Sequence, residues 1–184
     1  MRFITKILQV ATKRNFFFCL LITVLTYIVM MFILMPFLSL SAGLLPLDMR
    51  LTYTLTDVNQ LFTTLGSTGR QLYSSFQLAD TIFPIALALT LMLLLAIILQ
   101  RVSDPPQRLA LVVFIPLGGA LADYAENILI ATQLINYPTL SAVTVTIAST
   151  FTVIKWSFII AILVLVIALG TYSLSKTRKS HSAR

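Results

Sequence analysis

The chain has 184 residues, of which 58% are hydrophobic and only 10% charged, with a formal net charge of +7. Too few polar residues remain to cover a soluble surface, so the composition excludes an ordinary soluble domain and marks an integral membrane protein. The basic excess is concentrated in two tails and one short loop beside apolar runs, which excludes a nucleic-acid-binding face and follows the positive-inside pattern.

Residues 1–15 carry Arg2, Lys6, Lys13 and Arg14 without an acid, and the apolar spacing of Met1–Val10 suits either a surface-lying amphipathic helix or a plain tail. Residues 16–40 form an uncharged run of 25 residues. That is long enough to span the roughly 30 Å of bilayer hydrocarbon and too long for the apolar core of a secretory signal. It reads as a retained first transmembrane helix, with Pro36 expected to end or kink it. The run contains Cys19, the single cysteine of the chain. One cysteine permits neither an intramolecular disulfide nor a thiol relay.

Residues 41–79 are expected to form a small helical cap on the outer face. Residues 51–56 alternate apolar and polar side chains and suit an extended segment. Thr56 is placed to cap a short helix over 57–65, with Gly66 as its stop. A second helix, capped by Ser67 or Thr68, is expected to run straight into the second span, 80–100. Along it Arg70, Tyr73, Ser74, Gln77 and Asp80 follow i, i+3, i+4 spacing and draw a polar stripe down one side. Pro84 falls early in that span, where its missing N–H is tolerated.

The loop 101–108, broken by Pro105 and Pro106, is a tight inner connection. The third span, 109–135, contains Pro116, Gly118 and Gly119, a combination that bends a helix and admits a close neighbour. It also contains L-A-D-Y-A-E-N at Leu121–Asn127, which puts Asp123, Glu126 and Asn127 on one helical face. An uncharged turn at Asn136-Tyr137-Pro138 leads to the fourth span, 143–170, hydroxyl-rich in its first half. It carries Lys155, the one lysine inside a span, followed by Trp156. The tail, 171–184, is basic and holds His181, the single histidine, so zinc or haem sites built from several His or Cys ligands are excluded. No metal or cofactor is expected.

Ten of the thirteen Lys and Arg fall on the side of the termini and two, Arg50 and Arg70, on the cap side. Both termini are therefore expected in the cytoplasm of a cell membrane, and the fold class is an all-α bundle of four transmembrane helices. At 1.5 Å per residue, Asp123 lies roughly 21 Å along the third span and Lys155 roughly 15 Å along the fourth, both in the outer half. Asp80, Asp123, Glu126, Asn127 and Lys155 thus make a candidate polar cluster, with Arg70, Tyr73 and Gln77 as contributors from the cap. Buried carboxylates need a partner or a polar cavity. The plain reading is an ion-pair network that sets helix register; the functional one is a site for a proton, a cation or a lipid head group.

Two blocks carry a resemblance: G-x-x-G-R-Q-L-Y with D-T-I-F-P (Gly66–Tyr73, Asp80–Pro84), and D-Y-A-E-N with K-W (Asp123–Asn127, Lys155–Trp156). Together they resemble small four-span bacterial membrane proteins without a characterised activity. The resemblance covers the cap through Trp156 and implies no activity, but it supports treating the five polar residues as one constellation. The expected role is a non-enzymatic accessory, scaffold or binding subunit, with membrane lipids and either a second copy or another membrane protein as partners. An oligomeric cation- or proton-handling transporter or channel is the alternative. An intramembrane lipid-modifying enzyme, with Glu126 as acid and base, ranks third.

Overall fold

The structure is a computed structural model describing residues 9–36, 45–101 and 107–182, without the side chains of 107–108 and 174–182. Helix α1, Lys13–Ile28, starts at Thr12, whose hydroxyl accepts from the Asn15 amide. It continues as a π-helical stretch, Val29–Leu34, and the chain is still helical at Pro36. The π-helical turns just before Pro36 are a local distortion of the kind expected there, and the residues that directly follow it lie outside the described ones. The amphipathic segment at 1–8 and most of the loop 101–108 lie outside the described residues.

A 3-10 turn, Leu47–Met49, and an extended stretch lead to α2, Leu55–Ala79. The cap of α2 is Thr54 rather than Thr56. Thr54 and Asp57 form a reciprocal capping box, in which the Asp57 carboxylate accepts from the Thr54 amide at 2.7 Å. An acid three residues on makes Thr54 the better cap, and Thr56 has none. At Gly66 the backbone turns to φ 64°, so α2 is two helices joined by a break, as expected of a glycine stop. The second half of α2 does not run into the next span. It ends at Asp80, and a turn over 80–82 precedes α3, Phe83–Gln100. Pro84 sits in the first turn of α3, where it needs no acceptor; inside a continuous helix its ring would collide with the carbonyl of residue 80.

A helical turn at Gln107–Ala110 and a 3-10 turn at Leu111–Phe114 lead into α4, Ile115–Asn136, with Pro116 in its first turn. After a turn containing a cis Tyr137–Pro138 bond comes α5, Ala142–Ser182, which passes through Gly170 and carries the expected tail as continuous helix. Lys and Arg are good helix formers, so the basic composition of the tail is compatible with continued helix.

The fold is all-α, with four helices long and apolar enough to cross a membrane and no strand among the described residues. Helices α4 and α5 form the most extensive pair; α3 packs against α1, α4 and α5, while α1 leans chiefly on α3. Phe158 of α5 lies over Gly118, where an added Cβ would stand 2.6 Å from its ring. That is the close approach expected of the glycine pair. Two apolar clusters result. At the cap end, Val58, Leu61, Phe62, Tyr73 and Phe76 of α2 pack on Ile130 and Leu134 of α4 and on Val145 of α5. At the other end, Leu95 and Leu99 of α3 meet Val113 and Leu169. A polar layer separates them.

Candidate functional site

Lys155 is the centre of this layer. Its ammonium group lies 2.7 Å from Glu126 Oε2 and 3.1 Å from Asp123 Oδ1, and it donates to the main-chain carbonyl of Asp48 at 3.1 Å. The ammonium thus makes two hydrogen bonds, to Asp123 and to the Asp48 carbonyl, and a close ion pair with Glu126. Glu126 is fully buried. Its Oε2 has no hydrogen-bond donor among the described residues, so the ion pair alone stabilises that oxygen, while Oε1 accepts from Thr152 at 2.5 Å and from Tyr53 at 3.4 Å. The expected pairing across α4 and α5 is present, and Lys155 bridges two acids rather than neutralising one.

Asp80 and Asn127 form a second group beside the first. Asn127 Nδ2 donates to Asp80 Oδ2 at 2.8 Å, and Tyr124 ties the turn before α3 by donating to the Thr81 carbonyl at 2.6 Å. Asp80 is 4% exposed and has no cation within ion-pair distance among the described residues. Asn127 does not bridge the lysine to the acids, because its amide is taken by Asp80.

The contributors from the cap have other duties. Arg70 pairs with no acid among the described residues: it donates to the Phe62 carbonyl at 2.8 Å and stacks 4.2 Å above the Tyr137 ring. It thereby closes the carbonyl end left open by the break at Gly66 and fastens α2 to the α4–α5 turn. Tyr73 accepts from the Leu47 amide at 2.9 Å and donates to Asp48 Oδ1 at 3.4 Å. Gln77 is buried with both amide atoms unpartnered and touches no member of the cluster through a hydrogen bond.

Three residues of the layer escaped the sequence reading as site members: Asp48, Tyr53 and Thr152. They belong to a shared device. The loop 47–53 lies across the bundle, and helix side chains hold its main chain in turn: Tyr73 at Leu47, Lys155 at Asp48, Trp156 at the Arg50 carbonyl (3.3 Å) and Ser149 at the Tyr53 amide (3.0 Å). Ser149, Thr152 and Trp156 stand at i, i+3, i+7 on α5, a polar stripe that could have been read from the sequence. Asp48 is the first acid in the chain and follows L-L-P-L, an apolar context that was also a signal. Burial pushes its carboxyl up to about 6, with Lys155 pulling the other way.

A cavity of about 310 Å³ opens beside the layer. Asp48, Asp80, Asp123 and Lys155 line its polar end; Tyr27, Met30 and Met31 of the α1 region, Phe83 and Leu87 of α3, and Trp156 and Ile159 of α5 form its apolar walls. It occupies the space between α1 and α5, which share no extended contact. No three His, Cys, Asp or Glu side chains are grouped to hold a metal ion among the described residues.

No protein-family model, curated protein or solved structure matches the chain. The site must be read from its own chemistry.

Proposed function

We propose that the chain is a non-enzymatic, membrane-embedded binding subunit, in which the Lys155 network is the frame and the neighbouring cavity the seat of a small molecule. The observation that carries this reading is the division of labour in the layer. Lys155 pairs with Glu126 and Asp123 and fastens the cap loop, with Tyr53 and Thr152 donating to Glu126, whereas Asp80 and Asp48 face a cavity and form no ion pair among the described residues. A frame that served only to hold helices in register would close over its carboxylates, since an unpaired buried charge is costly. The cavity also lies at an edge of the bundle with apolar walls, which suits a ligand arriving from the lipid. An ammonium held by two carboxylates is neither base nor nucleophile, and this favours binding over proton chemistry at Lys155.

The charge count along the sequence supports placing both termini in the cytoplasm and the cap, with its cavity, toward the outer leaflet. Reporter fusions at the C-terminus and at Asp57 should report opposite sides; the same side for both would overturn that placement.

Native mass spectrometry of the full chain, extracted in mild detergent, tests the binding reading. The wild type should retain a small amphiphile, and Ile159→Trp, which fills the cavity from α5, should lose it. Equal retention by both proteins would sink the reading.

A further inference from the structure

We propose that the cavity between α1 and α5 binds an amphipathic ammonium ion, a positively charged amine head carried on a long apolar chain. The inference rests on the binding reading above and specifies its ligand.

Four of the chain's six acids, Asp48, Asp80, Asp123 and Glu126, meet in this layer against the single charge of Lys155. The lysine is committed to an ion pair with Glu126 and to hydrogen bonds with Asp123 and the Asp48 carbonyl. Asp80 is the sharpest case. It is more than nine-tenths buried and lines the cavity; one oxygen accepts from Asn127, and no donor reaches the other among the described residues. A carboxylate oxygen that faces a largely apolar cavity without a donor calls for a hydrogen-bonding cation, and the space beside it is where one would sit.

The walls decide which cation. A hard metal ion needs several oxygens converging at about 2.0–2.6 Å, and no such group exists among the described residues. Tyr27 and Phe83 instead form a tilted pair with ring centroids 6.1 Å apart, and Trp156 lines the cavity with them. Aromatic faces attract organic ammonium groups. Met30 and Met31, in and beside the π-helical part of the wall, adapt to an irregular alkyl chain. The head group is thus selected by acids at one end and the chain by apolar walls that continue to the α1–α5 gap.

The test is thermal protection of the purified full-length protein by dodecylamine, with dodecanol as the uncharged match, near pH 7.5. Dodecylamine should stabilise the wild type and dodecanol should not. Asp80→Asn, which keeps its Asn127 contact, should weaken apparent affinity at least about tenfold, the loss of one charge-assisted hydrogen bond. Asp48→Asn is the second variant should the first fold poorly, and Asp57→Asn, at the exposed start of α2, should behave as wild type. Equal protection by the amine and the alcohol would overturn the proposal, as would undiminished affinity in both cavity variants. A co-purifying amphiphile without an amine would refute it while leaving the binding reading intact; no retained ligand and no protection would remove both. Repeating the titration in phosphatidylethanolamine and phosphatidylglycerol nanodiscs identifies the source. Competition only in the former makes a membrane lipid the ammonium donor, and equal titration in both makes it a free amine.

Discussion

Lys155 illustrates how much one buried charge can organise. Its ammonium draws together α4 through Asp123 and Glu126, and the cap loop through Asp48. Replacing it with methionine should be the most damaging single change in the layer, by about 3–5 kcal/mol, because two buried acids then lose their partner. Glu126→Gln should cost less, since Asp123 remains to neutralise the lysine. The double variant should recover only part of the loss in a detergent unfolding assay, because Asp123 stays unpaired; full recovery would mean that the lysine serves Glu126 alone. Asp48 supplies a pH signature. Its carboxyl is raised from 3.8 to about 6, so folding favours the protonated form. The stabilisation is complete below about pH 4 and is lost as pH rises through 6. Thermal stability should therefore fall across that window, and Asp48→Asn should flatten that part of the profile.

At the level of helices, breaks and close contacts set the geometry. Phe62 and Phe76, both fully buried on α2, are each worth about 1.5–3 kcal/mol of burial, which outweighs the roughly 1 kcal/mol cost of a glycine within the element. Gly66 and Gly118 should respond to alanine for different reasons. At Gly66 there is open space but φ is +64° with ψ −171°, a region that only glycine adopts readily, so the penalty is conformational, about 1–3 kcal/mol, and no second-site change should relieve it. At Gly118 the added methyl meets the Phe158 ring, and Phe158→Leu should restore much of the lost melting temperature. The spans were legible because hydrocarbon demands long uncharged runs, and the Asp123–Lys155 pairing because helix rise converts sequence position into depth. The cap was less so. Its loop is held through main-chain atoms at Leu47, Asp48, Arg50 and Tyr53, so only the helix side of these contacts, such as the stripe of Ser149 and Trp156, shows in the side-chain pattern. Arg70 was no more legible, since its partners are a carbonyl and an aromatic face.

For the molecule as a whole, two apolar clusters with a polar layer between them place the chemistry at a defined level of the bundle. Helix α1 stands apart from this arrangement, resting on α3 and linked to it within the bundle by the Thr23–Thr90 hydroxyl pair at 3.0 Å. The fastening of the loop 47–53 also has a temporal side. Its anchors, Ser149, Lys155 and Trp156, are about a hundred residues downstream. During synthesis from the N-terminus the cap is made first and must wait, with its carbonyls unclaimed, until α5 emerges. Glu126 waits as well, a carboxylate without its counter-charge. A chain truncated before Ala142 would therefore leave the ribosome carrying a visible mark of incompleteness, and the arrival of one lysine both closes the cap and erases that mark.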